Sequence, residues 1–450
     1  MIPVWALLSM AALAAAPARA DELVFRPGAD PRFHWESFEA LKSQDLRGQT
    51  LTVMAPWLGP DKVLFESVLA YFEAATGIEV IYSGSSSFEQ QIVIDAEAGA
   101  PPDIAGIPQP GLAADLARKG YLRPLRPATA DWLKEHYALG DTWAGYGTYP
   151  GPDGAARLYA LPYKADVKSL VWYVPENFAQ AGYDVPRSME ELKALTERIV
   201  ADGGTPWCIG IASGGATGWP ATDWVEDLML RLYPPETYDD WVANRLRFDD
   251  PKVVAAVTEF GWFARTDAHV AGGAQAVATT DFRDSVRGLF TVPPQCYLHH
   301  QGSFIPSFFP EGVQPGRDVD VFALPPYAAR GPGVPVLGAA TLFAKLTDNP
   351  ASDAFIAFLQ TPIAHEIWMA QEGFTTPYRD VNADVYANPV LRKMNDMLLQ
   401  ANSFRFDGSD LMPGAIGAGA FWTGMVDFVG GTSAEVVTSR IQATWDGVKK

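Results

Sequence analysis

Between residues 50 and 120 the chain alternates strand-like and helix-like segments so regularly that few folds remain open to it. TLTVMAP, residues 50–56, is an apolar run of the buried-strand kind. Residues 62–76 place Leu64, Val68 and Phe72 at i, i+4 and i+8, one face of a helix, and Gly77 supplies the left-handed residue that ends such helices. Residues 78–82 form the next strand, and Ser86 with Glu89 ahead of Ile92 and Val93 reads as a capping box for a helix to Ala98. A third strand over 101–107 and a short helix over 112–119 complete a β-α-β-α-β series. Strands joined by helical crossovers lie parallel, and a parallel sheet must be covered on both faces. Ligands bind such sheets beyond the carboxyl ends of the strands, here Pro56-Trp57, residues 83–87 and residues 108–110.

Residues 160–177, ALPYKADVKSLVWYVPEN, read as one long strand that must pass between two halves of the molecule. Asp166 and Lys168 interrupt its apolar run. An isolated buried charge is strongly disfavoured, so Asp166 is either solvated or paired at a cleft, or it lies on the wet face of an edge strand. A second α/β series follows: a helix capped by Ser188 and Glu191, strands over 207–212, 295–298 and 319–324, and a helix over 251–265. Residues 336–346 read as another strand and Asn349-Pro350 as a helix start. Residues 391–399 and 433–445 are helical. The pattern implies two α/β lobes joined by more than one passage.

Residues 1–20 have an apolar centre followed by Ala18-Arg19-Ala20, the pattern of a signal peptide cut after Ala20, so the product is expected to be exported. No later apolar stretch approaches the roughly 20 residues that span a bilayer, so the protein is expected not to be membrane-embedded. A formal charge of −19 argues against nucleic acid, which is held by Lys and Arg. The only cysteines, Cys208 and Cys296, are expected to form one disulfide closing a loop of about 90 residues, as an isolated pair in an exported protein does.

No HExxH, HxH, CxxC, G-x-S-x-G or Walker loop occurs, so neither a metal nor a cofactor is expected. A glycosidase pair could be drawn from Asp103, Asp166, Asp223, Glu226, Asp407 and Asp410, whose separations sequence does not measure. Aromatics speak more clearly. Trp57, Trp219, Phe304, Phe421 and Trp422 fall in or beside Gly/Pro-rich turns, outside the apolar periodicity of core residues. Sugar rings stack on such side chains; a place in the core is the competing explanation for each.

In order, LTVMAPW, PPDIAGIPQPG, ALPYKADVKSLVWYVPENF, SGGATGWPATDWVED and RFDGSDLMPGAIGAGAFW resemble the extracellular solute-binding receptors of bacterial ABC sugar importers, in particular the α-glucoside-binding relatives of maltose receptors. The resemblance implies a hinged, two-lobed α/β fold, each lobe a mainly parallel sheet flanked by helices. Residues 21–155 and 340–385 would build one lobe and residues 156–339 and 386–450 the other, with the ligand cleft between them. Asp166 matches the cleft acid after the first crossing, Trp422 the C-terminal stacking aromatic, and Gly302-Ser303-Phe304 another cleft segment. Trp57, Ser86, Ser87 and Gln109 are placed by their strand ends. Where maltodextrin receptors carry a stacking tryptophan after the third strand, this chain has Ile107-Pro108-Gln109, which favours a small glycoside.

The expected activity is therefore capture of an α-glucoside or similar small sugar by a monomeric periplasmic receptor, without catalysis, for delivery to an ABC permease in the membrane. Asp166 and Arg405 would bond hydroxyls, Trp219 and Trp422 would stack, Gly218 and Gly302 would let backbone approach, and Asp410 completes the expected set. Replacing Asp166 by Ala should then abolish binding with little change in stability. The rivals are a secreted glycosidase and a receptor for another class: a polyamine, a peptide, or an anionic sugar held by Lys164, Lys168 or Arg405.

Overall fold

The computed structural model describes residues 23–330, 335–401 and 403–448. The expected signal peptide lies outside them. Eleven short strands occur among these residues: β1 (Thr50–Ala55), β2 (Glu79–Gly84), β3 (Ile104–Ile107), β4 (Thr148–Pro150), β5 (Ala156–Leu158), β6 (Ala160–Val167), β7 (Leu170–Tyr173), β8 (His299–His300), β9 (Asp320–Ala323), β10 (Val336–Lys345) and β11 (Phe404–Phe406).

The first sheet contains the predicted parallel unit, with β1 pairing β2 and β3 in parallel. Its axis is β10, which runs antiparallel to β3 and β6 and parallel to β11. The helix Gly59–Thr76 covers one face and stops where Gly77 turns left-handed at φ 75°. Its Phe72 meets Phe355 and Phe358 of the helix Pro350–Leu359 at 5.5 and 5.2 Å between ring centroids. The helix Phe88–Glu97 starts later than the expected capping box allows: Ser87 is its N-cap, makes no side-chain cap bond, and Glu89 is turned inward to Gln109.

The second sheet departs from the expected parallel form. Its strands β8 and β9 both pair antiparallel with β7, and parallel contacts occur as single bridges, among them those from Trp207 to Val270 and Leu298 and from Ala212 to Asp281. The strand expected over 207–212 is interrupted where Gly210 lets neighbouring backbone in; a Cβ there would sit 2.6 Å from the Thr280 carbonyl oxygen. Helices Met189–Ala201, Trp219–Leu232, Pro251–Ala264, Trp422–Val429 and Ala434–Gly447 build a second core on this side, with Trp224 packed on Trp207 and Phe263. The expected helix start at Ser188 is present, its hydroxyl accepting from Glu191 N–H.

The segment expected as one long strand is two strands in two sheets: β6 pairs with β10, β7 with β8 and β9, and Lys168-Ser169 is the break. This is the first of three passages between the sheets. The second runs from β9 to β10, and the third from β11 into the short helix Gly408–Leu411. Val390, Leu391, Met394, Leu398, Phe404 and Phe406, all in a segment assigned to the second lobe on sequence, pack in the first core.

Cys208 and Cys296 are joined by a disulfide, 88 positions apart. Closing a loop of that length removes chain entropy from the unfolded state worth roughly 4–5 kcal/mol. The staple ties the bridge segment at residue 208 to the run leading into β8.

Candidate functional site

The three passages frame a cavity between the sheets. From the carboxyl ends of β1, β2 and β3 come Trp57, Asp61, Ser85, Ser86 and Gln109, and Glu89 lies just behind them. The passages contribute Lys164, Asp166, Lys168, Thr341, Asp407 and Asp410. From the second side come Ser213, Trp219, Phe282, Arg283, Phe304 and Trp422.

One wall is aromatic. Trp219 lies 4.9 Å from Phe282 and 5.9 Å from Phe304, ring centre to ring centre, and all three rings edge the cavity. Trp422 opens its helix directly after a π-helical turn, Ala415–Phe421, a distortion that redirects the side chain at its end. Trp57 is largely a core residue, wedged against Phe65 and Trp368 at 4.8 and 5.0 Å, and only its edge reaches the cavity.

The other walls carry charge. Lys164 Nζ lies 2.7 Å from Asp166 Oδ1, which also accepts from Ser303 Oγ at 3.2 Å. Lys168 Nζ sits 2.8 Å from Asp223 and 3.2 Å from Asp407, and 4.6 Å above the Trp219 ring. Burial opposes charge on Lys168, but Asp223, Asp407 and Asp410 outweigh it and raise its pKa. Burial likewise opposes ionisation of Asp407, yet Lys168 and hydrogen bonds from Glu226, Asp223 and Ser409 hold it down at about 2. Glu226 and Asp410 are pushed the other way, by burial and by the charge on Asp407. Asp223, Glu226 and Asp407 bring carboxylate oxygens within 4.8 Å of one another, and the cation among them is the Lys168 ammonium.

Among the described residues, three buried polar atoms in this lining have no hydrogen-bond partner: Asp61 Oδ1, Gln109 Oε1 and Trp422 Nε1. Two can accept and one can donate a hydrogen bond, so a ligand rich in hydroxyls can satisfy them all. Burial raises the Asp61 pKa to about 6, against the pull of Lys164.

Of the residues singled out in the sequence, Trp57, Ser86, Gln109, Asp166, Trp219, Phe304, Asp410 and Trp422 come together around the cavity. Ser303 stands behind Asp166 as its hydrogen-bond donor. The others belong elsewhere. Arg405 is committed to Asp239 through two bonds of 2.7 and 2.9 Å, which leaves it no fork for a hydroxyl. Gly218, at φ +114°, makes room for the backbone of Trp422, since a Cβ would lie 2.2 Å from that carbonyl oxygen. Gly302 makes room for the Phe304 ring in the same way, at 2.6 Å. Ser87 occupies the N-cap position of the helix Phe88–Glu97 and does not line the cavity. Sequence reasoning missed Asp61, Glu89, Phe282, Arg283 and Thr341. Asp61 lies in the first helical turn after β1, and it would have been found by carrying the strand-end rule a few residues further.

Across the mouth the two rims touch. Gly215 N–H donates to the Ser86 carbonyl at 3.1 Å, and Gly414 N–H donates to Asp115 Oδ2 at 3.2 Å. Two hydrogen bonds thus bridge the two sides at the mouth.

Residues 59–366 match the family of bacterial extracellular solute-binding proteins. The chain belongs to that family. It is 62% identical over 450 residues to the alpha-glucosides-binding periplasmic protein AglE of Rhizobium meliloti (strain 1021), covering all of this chain and 98% of the relative. It is 41% identical over 396 residues to the osmoprotective compounds-binding protein GgtB of Synechocystis sp., covering 88% of this chain and 92% of the other. Among solved structures, the bacterial solute receptor AcbH superposes with a TM-score of 0.75 at 19% identity, over 89% of this chain and 99% of that one. Maltose-bound MalE3 of T. maritima superposes at 0.65 and 15% identity, over 89% of this chain and 100% of that one. These two likenesses establish the two-lobed fold of this solute-binding protein.

Proposed function

We propose that the chain is the sugar-binding receptor of an ABC importer, exported to the periplasm, working as a monomer, and delivering an α-glucoside of about disaccharide size to the membrane permease. The observation that carries this reading is the cavity between the two sides, with an aromatic wall for a sugar face and the unpartnered polar atoms of Asp61, Gln109 and Trp422 for its hydroxyls. The full-length likeness to an alpha-glucosides-binding protein narrows the sugar. Lys164 and Lys168, the cations that an anionic sugar would need, are already paired with Asp166, Asp223 and Asp407. Arg283, the third cation of the lining, is likewise paired, with Asp281 at 3.2 Å, so each of these cations already has a carboxylate partner.

In this reading the first lobe comprises residues 21–155, β6, β10 and the following chain to β11, and the second lobe the remainder. Sugar held by one lobe gains contacts with the other, and the open–closed equilibrium shifts by that difference in affinity.

A thermal-shift screen over mono- and disaccharides tests the assignment, followed by calorimetry on each hit. Ligand at a hundred times its Kd stabilises by about 2.7 kcal/mol. A melting temperature raised by an amino acid or peptide, with none raised by a carbohydrate, would rule the reading out.

Asp61 gives binding a pH dependence. A hydroxyl donating to its carboxylate binds the ionised form better, so affinity should fall as pH drops from 7.5 to 5, through the pKa near 6. Stability of the ligand-free protein moves oppositely. The folded-state pKa lies above the unfolded value of 3.8, so the stability this group contributes is full below pH 4 and is lost as pH rises towards 6. Asp61→Asn should flatten both profiles, as titration calorimetry and melting curves at the two pH values would show; an unchanged slope in affinity would remove Asp61 from the ligand set.

A further inference from the structure

The helix Trp219–Leu232 carries one face whose side chains run from the cavity to the passages. Trp219, Asp223, Asp227 and Arg231 succeed one another every four residues and so lie along one stripe, with Glu226, three residues after Asp223, on its flank. Trp219 lines the cavity. The next four grip all three passages.

Asp223 holds Lys168, and one turn further on Asp227 Oδ1 accepts from Ser169 Oγ at 2.6 Å. Two adjacent residues of the first passage are thus fixed by two carboxylates of one helix. Glu226 accepts from Gly408 N–H at 2.8 Å and Ser409 N–H at 2.9 Å, at the start of the third passage's second-lobe end. Arg231 donates from Nε and Nη2 to the Leu324 carbonyl, at 3.2 and 3.0 Å, where the second passage begins. Asp227 also pairs with Arg231 and with His300 Nε2 at 3.1 Å. Glu226 and Asp227 are fully buried and neither lines the cavity.

On the first-lobe side the same passages are held by sheet pairing: Gly338 of β10 is the partner of both Val167 and Phe406. Between the two grips only short stretches of chain remain. In the first passage that stretch is the Val167–Lys168 link, and it is bridged by Ser169. The Ser169 hydroxyl accepts from Leu337 N–H at 3.2 Å while it donates to Asp227, and the Ser169 carbonyl accepts from Leu324 N–H at 3.0 Å.

We propose that the helix Trp219–Leu232 sets the hinge axis by holding the second-lobe ends of all three passages, and that Ser169 and Asp227 are positioning residues for ligand-driven closure. The inference rests on the closure reading given above. Because Trp219 stands on the same stripe, contact with the ligand is transmitted along a rigid helix to the pivots rather than through a loop.

Ser169→Ala is the primary test, since it removes one hydroxyl outside the cavity and leaves the charged groups in place. Wild type and variant are titrated with maltose, sucrose and trehalose by calorimetry, and the radius of gyration is measured by small-angle X-ray scattering with and without the tightest binder. The expected result is compaction of the wild type on binding, a Kd raised about tenfold in the variant, and a melting temperature only a few degrees lower. If the variant does not fold, Asp227→Asn is carried through the same measurements. Compaction of the wild type with an unchanged variant Kd would overturn this inference alone. A wild type that binds without compaction would remove the closure reading as well.

Discussion

Replacing Lys168 by Met is expected to destabilise the ligand-free protein by about 3–5 kcal/mol at pH 7 and to abolish sugar binding. Methionine matches the length of the stem but brings no charge. Asp223 and Asp407, at 2.8 and 3.2 Å from the ammonium, would be left buried with Glu226 and Asp410 beside them and no cation within reach. The only relief is protonation, and its sign can be worked out. In the wild type the Asp407 pKa is depressed to about 2, so its contribution is full above the unfolded value of 3.8 and is lost as pH falls through 2. Without Lys168 that depression disappears, Asp407 takes up a proton readily, and the deficit of the variant shrinks as pH is lowered from 7 towards 4.5. Urea unfolding at the two pH values measures this. A deficit below about 1 kcal/mol at pH 7 would mean that the cluster is neutral without the lysine. Binding fails for a second reason, since the ammonium over the Trp219 ring also positions that ring.

Asp166→Ala should cost binding and stability together. The sequence led us to expect a change in binding alone, but Lys164, only 2% exposed, has Asp166 as its ion-pair partner at 2.7 Å. Stripping a buried pair of one member costs about 3–5 kcal/mol, most of it the penalty of the charge left behind. The double variant Lys164→Met/Asp166→Ala should therefore recover most of the lost stability while binding stays lost, giving a large coupling in a double-mutant cycle. Recovery of affinity along with stability would show that Asp166 serves only to neutralise its neighbour.

Local signals carried much of the fold. The β1–β3 unit, the left-handed Gly77 and the Ser188 and Asn349 caps each depend on residues within one turn or one strand of themselves. Trp219, Phe304 and Trp422 were legible for a related reason: large aromatics outside any helical or strand period need another explanation, and the cavity provides it. What escaped depended on partners far along the chain. Arg405 looked free until Asp239, 166 positions away, was found against it. The charges at Asp166 and Lys168 marked the run but not the break at Lys168-Ser169, because the carboxylates of a distant helix are what tolerate that break. The second sheet's antiparallel pairing likewise follows from where β8 and β9 return, which no local period encodes.

The rim contact between Gly215 and Ser86 bears on time rather than on affinity. A Cβ at position 215 would lie 2.7 Å from Ser87 Oγ, so the rims close this tightly because glycine is there. A solute held by both sides leaves most readily after the rims part. Its dwell time is then set by how often the hinge opens, which the contacts a sugar makes with both lobes slow. Two sugars of different affinity should therefore differ mainly in how fast they escape, the weaker binder letting the rims part more often.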